Sequence, residues 1–224
     1  MSTDILSLKL GLDSCYLIRS KHIVMIDGGM PNKLDAFKRK LNRLHIHPEE
    51  IRLIILTHSH FDHAGSAKDI RDYTGAKILL HEKDYEYLEK GEMCVPKGVN
   101  SWGKISQPLL FRVLRRIKFP LFEPDIIMKG EEYPLDEFGI DGKVIHTPGH
   151  TPGSISVLLK TGEAFVGCMA HEGFPFRANP GLPIYAMDIV EVKQSWKLLI
   201  EKGTKIIFPG HGNPFSVEVI KSVI

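Results

Sequence analysis

The sequence predicts an α/β fold, a sandwich of sheets covered by helices. Three observations lead there. Short apolar, strand-like runs and helix-period patterns occur in both halves of the chain. Residues 51–56 are apolar but for one arginine, as in a strand buried on both faces. Near the C-terminus, Ile189, Val192, Trp196, Leu199 and Ile200 fall on one helical face.

Taken in order, residues 5–10, 15–19 and 22–26 read as strands, separated by Gly11-Leu12-Asp13 and Ser20-Lys21. Asp27-Gly28-Gly29 ends the third with a tight turn. Pro31 is expected to open a helix on which Leu34, Phe37, Leu41 and Leu44 recur at three- and four-residue intervals. A second helix is expected after His63 and a strand at 77–80. The second half is strand-rich, at 143–147, 154–159 and 164–166, with Pro and Gly turns between. A helix at 188–202, a strand at 205–208 and a short helix follow.

Residues 91–124 break the alternation. They hold four of the fourteen prolines and a basic-apolar stretch at 109–118. A helical insertion is expected, either a packed surface helix or a lid that supplies substrate contacts. Membrane-surface binding has only the basic, amphipathic character of the stretch behind it. The whole chain, 1–224, is expected to be one domain with this insertion at about 91–124, since single domains commonly reach roughly 200–250 residues.

Composition narrows the function classes. With 43% hydrophobic and 25% charged residues, the chain can bury a core without covalent staples. A net charge of +2 gives no expectation of nucleic-acid binding. Cys15, Cys94 and Cys168 are odd in number and scattered, so no disulfide framework is expected and a reducing compartment fits. The N-terminal pattern is strand-like rather than that of a signal peptide, and no apolar run approaches the roughly 18 residues of a membrane span. A soluble, cytoplasmic protein acting on a small molecule is the expectation.

The informative segment is Thr57-His58-Ser59-His60-Phe61-Asp62-His63, directly after the buried run. Residues two apart in an extended backbone point the same way, so His58 and His60 can converge on one ion. Asp62 and His63 follow where the chain turns toward a helix and can face a second ion. Imidazole nitrogen and carboxylate oxygen both suit zinc. His150 lies in a turn-rich loop at 146–154, and His211 in Phe208-Pro209-Gly210-His211-Gly212. Either histidine alone would more often be structural. Three histidine sites at strand-to-loop junctions point to one site assembled from distant segments.

The pattern His-x-His-x-Asp-His at 58–63, Pro-Gly-His at 148–150 and Gly-His at 210–211 resembles the metallo-β-lactamase superfamily. The likeness runs from Asp27 to His211. It implies a four-layer αββα sandwich with metal ions at the edge between two sheets. It further implies that His58, His60 and His150 hold one ion, and Asp62, His63 and His211 another. Asp27 would support the histidine loop by hydrogen bonding. Two zinc ions are expected, with iron or manganese as alternatives.

One position departs from the family pattern. Where a bridging aspartate is usual, the chain reads Phe165-Val166-Gly167-Cys168. Cys168 could be a thiolate ligand, as in one subclass of zinc β-lactamases, which however lacks a counterpart of His63. It could instead mark a weakened site with one metal, or be an inert thiol or an altered residue. Ligation is favoured, because sulfur beside zinc ionises readily. Cys15 and Cys94 are expected to be structural. His171, three residues after Cys168, could approach the site but is expected on a solvent-facing loop, and His22, His45, His47, His81 and His146 lack ligand partners at useful spacing.

The implied activity is hydrolysis of an ester, thioester, lactone or amide-like bond by metal-bound hydroxide, with Asp62 as the catalytic residue that orients it. The alternatives are a non-catalytic metal-binding or sensing protein, or a mononuclear iron enzyme like the persulfide dioxygenases. The latter use the very aspartate that Cys168 replaces. Substrate choice is expected to lie in 91–124 and 172–185.

Overall fold

The computed structural model describes residues 3–90, 92–114, 121–173 and 179–224. The chain begins with β1 (Asp4–Lys9), β2 (Ser14–Arg19) and β3 (Ile23–Ile26), then α1 (Leu34–Arg43) and β4 (Ile51–Ile55). Next come α2 (Phe61–Ala64), α3 (Ala67–Thr74), β5 (Lys77–His81) and α4 (Glu82–Glu89). A short strand β6 (Lys97–Gly98) leads to α5 (Ser101–Leu114). Strands β7 (Ile126–Met128), β8 (Glu132–Pro134), β9 (Gly142–His146), β10 (Ile155–Leu159) and β11 (Glu163–His171) follow. The last elements are β12 (Tyr185–Ala186), α6 (Ile189–Glu201), β13 (Ile206–His211), β14 (Phe215–Ser216) and α7 (Glu218–Lys221).

Two six-stranded sheets form the frame, ordered β1-β2-β3-β4-β5-β7 and β14-β13-β11-β10-β9-β8. Strand periodicity of two sorts their side chains into separate cores. Tyr16, Ile18, Val24, Ile26, Leu53 and Ile55 of the first sheet meet Val144, Ile155, Val157 and Phe165 of the second. The alternate residues Cys15, Leu17, Met25 and Ile54 face Phe37 and Leu41 of α1 and Ala67 and Ile70 of α3. On the far side, Ala164 and Val166 pack on Val192, Trp196 and Leu199 of α6. The order is helix, sheet, sheet, helix. Nearly every strand of the centre is therefore buried on both faces, which is why 51–56 carries so few polar residues.

Several boundaries differ from the sequence expectation. The first helix begins at Leu34 rather than Pro31: Asn32 has φ +63°, and Lys33 N–H donates to Ser66 Oγ at 2.8 Å, so a turn precedes it. The strand expected at 164–166 runs to His171, because β11 pairs in parallel with β13 through two register shifts. Cys168 and His211 thus lie within strands. Strands β7 and β8 have three residues each, too few to show a period, and α4 buries only Asp84 and Leu88.

Within 91–124, β6 pairs antiparallel with β12, and α5 follows with Trp102, Ile105 and Leu109 exposed. Part of the helical stretch expected at 109–118 lies outside the described residues, as do 174–178. No helix among the described residues is long and apolar enough to cross a membrane.

Candidate metal centre

The strand ends at one edge of the sandwich carry the candidate ligands. Just beneath them, Tyr16, Phe165 and Phe208 pack ring against ring across the two sheets at 4.8–5.5 Å between centroids. Tyr16 OH also donates to Pro209 O at 2.7 Å, two residues before His211.

Five histidines converge there, and each has one ring nitrogen already engaged. His58 Nδ1 lies 3.1 Å from Thr57 Oγ1, and His60 Nε2 lies 2.7 Å from Cys94 O. His63 Nδ1 lies 2.7 Å from Asp27 Oδ2, and His150 Nδ1 lies 2.9 Å from Tyr185 O. His211 Nδ1 lies 3.2 Å from Leu12 O. Carbonyl and carboxylate oxygens only accept, so the engaged nitrogen carries the proton. Thr57 Oγ1 donates to Asp27, and so accepts from His58. In His58, His60 and His150 the other nitrogen is left with a lone pair turned to its neighbours, the arrangement that fixes histidine tautomers for metal binding, while His63 Nε2 faces Cys168 and His211 Nε2 faces Asp62.

Those lone pairs crowd together. His150 Nε2 and His60 Nδ1 face each other at 3.2 Å. Two lone pairs so close repel unless a cation or a proton lies between them. His58 Nε2 is buried and has no hydrogen-bond partner among the described residues. It lies within 4.8 Å of ligand atoms of His150 and Cys168. A second group, His63, Cys168 and His211, is equally close-set, so Cys168 belongs to both. Its Sγ is 3.3 Å from His63 Nε2. Asp62 Oδ2 adds a carboxylate oxygen 3.3 Å from His211 Nε2 and 3.9 Å from His63 Nε2. The donor set, imidazole with thiolate and carboxylate, is one that zinc takes readily.

Electrostatics agree with the donor chemistry. Burial pushes the Cys168 thiol up, but His63, His211 and His150 outweigh it and hold it well below its ordinary value. Burial likewise opposes ionisation of Asp62, and His63 and His211 reverse that, keeping the carboxyl below the usual range. Against its burial, His211 is pushed up to about 10 by Cys168 and Asp62. An acidic donor set of this kind demands positive charge, whether from protons or from metal ions. On the other side of Cys168, burial and the neighbouring His150 bring His60 down to about 4.

Asp27 organises the histidine loop. Its backbone sits at φ +60°, and its carboxylate accepts Thr57 N–H (2.8 Å), Thr57 Oγ1–H (2.9 Å) and His63 Nδ1–H (2.7 Å). Gly167 must be glycine for the same loop to close. It has φ +51°, and a Cβ there would overlap Thr57 Oγ1. Gly167→Ala is expected to destabilise the protein by about 2–4 kcal/mol, combining left-handed strain with overpacking. Chemical denaturation checks it, and a loss under about 1 kcal/mol would show that the strand absorbs the methyl group.

Each of the seven candidate ligands comes to this edge, and Asp62 alone keeps partial exposure, 19% of its side chain, which locates the opening to solvent. One expectation is corrected: His171 is not on a solvent-facing loop. It is 1% exposed, at the end of β11, with its ring 5.5 Å from that of His211. The carbonyls of Leu12, Cys94 and Tyr185 had no sequence signal, since any residue supplies a carbonyl. His81 and His146 stack on each other, 4.0 Å between centroids.

Comparison with known proteins identifies the family. The family model described as the metallo-beta-lactamase superfamily matches residues 9–211. A probable metallo-hydrolase of Methanocaldococcus jannaschii is 28% identical over 208 residues, 88% of this chain and 86% of that one. The hydroxyacylglutathione hydrolase GloC of Haemophilus influenzae is 26% identical over 219 residues, 95% of this chain and 92% of that one. Among solved structures, the B3 metallo-β-lactamase BLEG-1 aligns with a TM-score of 0.70 at 22% identity, covering 96% of this chain and 95% of the other. With the motif histidines gathered at the sheet edge and the match spanning nearly all of its length, the chain belongs to the metallo-β-lactamase superfamily.

Proposed function

We propose that the protein is a metal-dependent hydrolase with two zinc-class ions, cleaving an ester, thioester, lactone or amide-like bond of a small molecule in the cytoplasm. One observation carries this: four buried imidazoles, His58, His63, His150 and His211, gather in two ligand groups around one shared thiol, Cys168, and a fifth, His60, faces His150 at 3.2 Å. His58, His60 and His150 would hold one ion, His63, His211 and Asp62 the other, with Cys168 between. When bound, such ions supply Lewis acidity, polarising the substrate's oxygen and lowering the pKa of water in the site toward neutrality.

The chain's own residues do the rest. Asp62, at the open edge, accepts a hydrogen bond from attacking water and fixes its direction. Asp27 and Thr57 keep His58 and His63 in the tautomers that present their free nitrogens. The segment 91–124 borders the site: Cys94 O holds His60, and Ser106 on α5 bonds Tyr185, whose carbonyl holds His150. These contacts, made by described residues of the segment, support a lid role for it. Elemental analysis should find about two zinc-class ions per chain, and a panel of lactones, thioesters and β-lactams should reveal chelator-sensitive hydrolysis. Protein that takes up no metal after reconstitution with zinc would end this proposal.

A further inference from the structure

We infer that Asp84 is a positioning residue that clamps two of the candidate ligand loops to each other through their backbone amides. Asp84 is fully buried in the first turn of α4. Its Oδ2 accepts Ser59 N–H at 2.7 Å, between His58 and His60. Its Oδ1 accepts Gly153 N–H at 2.8 Å, three residues after His150. The two loops belong to different sheets: one follows β4, and the other joins β9 to β10.

One side chain therefore spans the gap across which His60 Nδ1 and His150 Nε2 meet at 3.2 Å. A backbone bond, Ile155 N to Thr57 O at 2.9 Å, joins the same loops at their strand ends. Asp84 joins them beside the histidines. The task needs a group that accepts at both ends, and among side chains of this length only a carboxylate does so. An asparagine would turn an NH2 toward one of the two N–H groups. Gly153 is the matching half of the clamp. A Cβ there would lie 2.5 Å from Asp84 N and 2.6 Å from Oδ1, so only glycine lets the loop come close enough. The amides of Ser59 and Gly153, not the imidazoles, donate to Asp84, so it acts through the loops rather than on substrate.

This role rests on the proposed metal centre only for its effect on metal affinity, and two measurements keep the two apart. Asp84→Asn, Gly153→Ala and the exposed control Glu86→Gln are compared with the parent protein. In metal-free protein, amide hydrogen exchange is followed in peptides covering 57–64 and 147–154. Asp84→Asn should speed exchange in both segments by at least ~10-fold, and Glu86→Gln in neither. Zinc affinity, read by competition with a chromophoric chelator, should fall roughly 10–100-fold for Asp84→Asn, the usual effect of removing a group that supports metal ligands. If Asp84→Asn does not fold, Gly153→Ala displaces an intact carboxylate and should loosen the same two segments. Parent-like exchange in either segment, or zinc binding as tight as the control's, overturns the role of Asp84. A parent protein that binds no zinc would remove the metal centre, while the exchange data would still decide whether Asp84 clamps the loops.

Discussion

Replacing His58 by alanine should lower hydrolysis by more than about 100-fold, because removing a group that merely supports a metal ligand already costs roughly 10–100-fold. The same replacement should act on stability in a way that a general packing defect does not. His58 Nε2 is buried with no hydrogen-bond partner among the described residues, a cost to the metal-free fold that alanine removes. The lost ring leaves a cavity, which works in the other direction. Metal-free His58→Ala should thus melt close to the metal-free parent. With zinc at 1,000 times its dissociation constant, the parent gains about 4 kcal/mol, and the variant should forfeit most of that gain. Thermal melts with and without zinc decide the matter. A variant that is unstable without metal, yet fully stabilised by zinc, would place the ion elsewhere.

The second large effect concerns Cys168. A thiol reagent should label Cys168 in metal-free protein at least ~10-fold faster than in zinc-loaded protein, since a coordinated thiolate is protected. The other two cysteines serve as internal controls. Burial, reinforced by Asp13, raises the Cys15 thiol well above its ordinary value, and burial pushes Cys94 up to about 11. Neither should react in folded protein, whereas His63, His211 and His150 hold Cys168 low despite its burial. Cys168→Asp should keep two metals bound by restoring a bridging carboxylate, and Cys168→Ala should weaken both positions, because the sulfur belongs to both ligand groups. Zinc-independent labelling, or labelling of Cys94 first, would leave Cys168 an ordinary buried thiol.

The candidate ligands were legible as a cluster because strand ends announce themselves. A run such as 51–56, apolar on both faces, has to stop where the sheet stops, and polar residues clustered at that point face the sheet edge. Cys168 was legible only as a break in a family pattern, and His171 was misplaced for a related reason. The irregular pairing of β11 with β13 carries the strand on past Gly167, so a residue expected on a loop is buried beside His211. Backbone acceptors and Asp84 left no trace in periodicity. The pairing of β6 with β12, Tyr185 with Gly98 and Ala186 with Lys97, joins distant segments through two residues each, shorter than any readable pattern.

The hydrogen bond from His211 to Leu12 spans 199 positions, and that from Tyr16 to Pro209 spans 193. The centre is thus closed by the first hairpin gripping the last central strand. Contacts of such long range form late in folding, after the local units have condensed. A chain whose first hairpin has not yet docked would present His211 without its orienting carbonyl. Metal captured by the finished site would then act chiefly on the unfolding rate, lengthening the lifetime of the native state and leaving the speed of folding little changed.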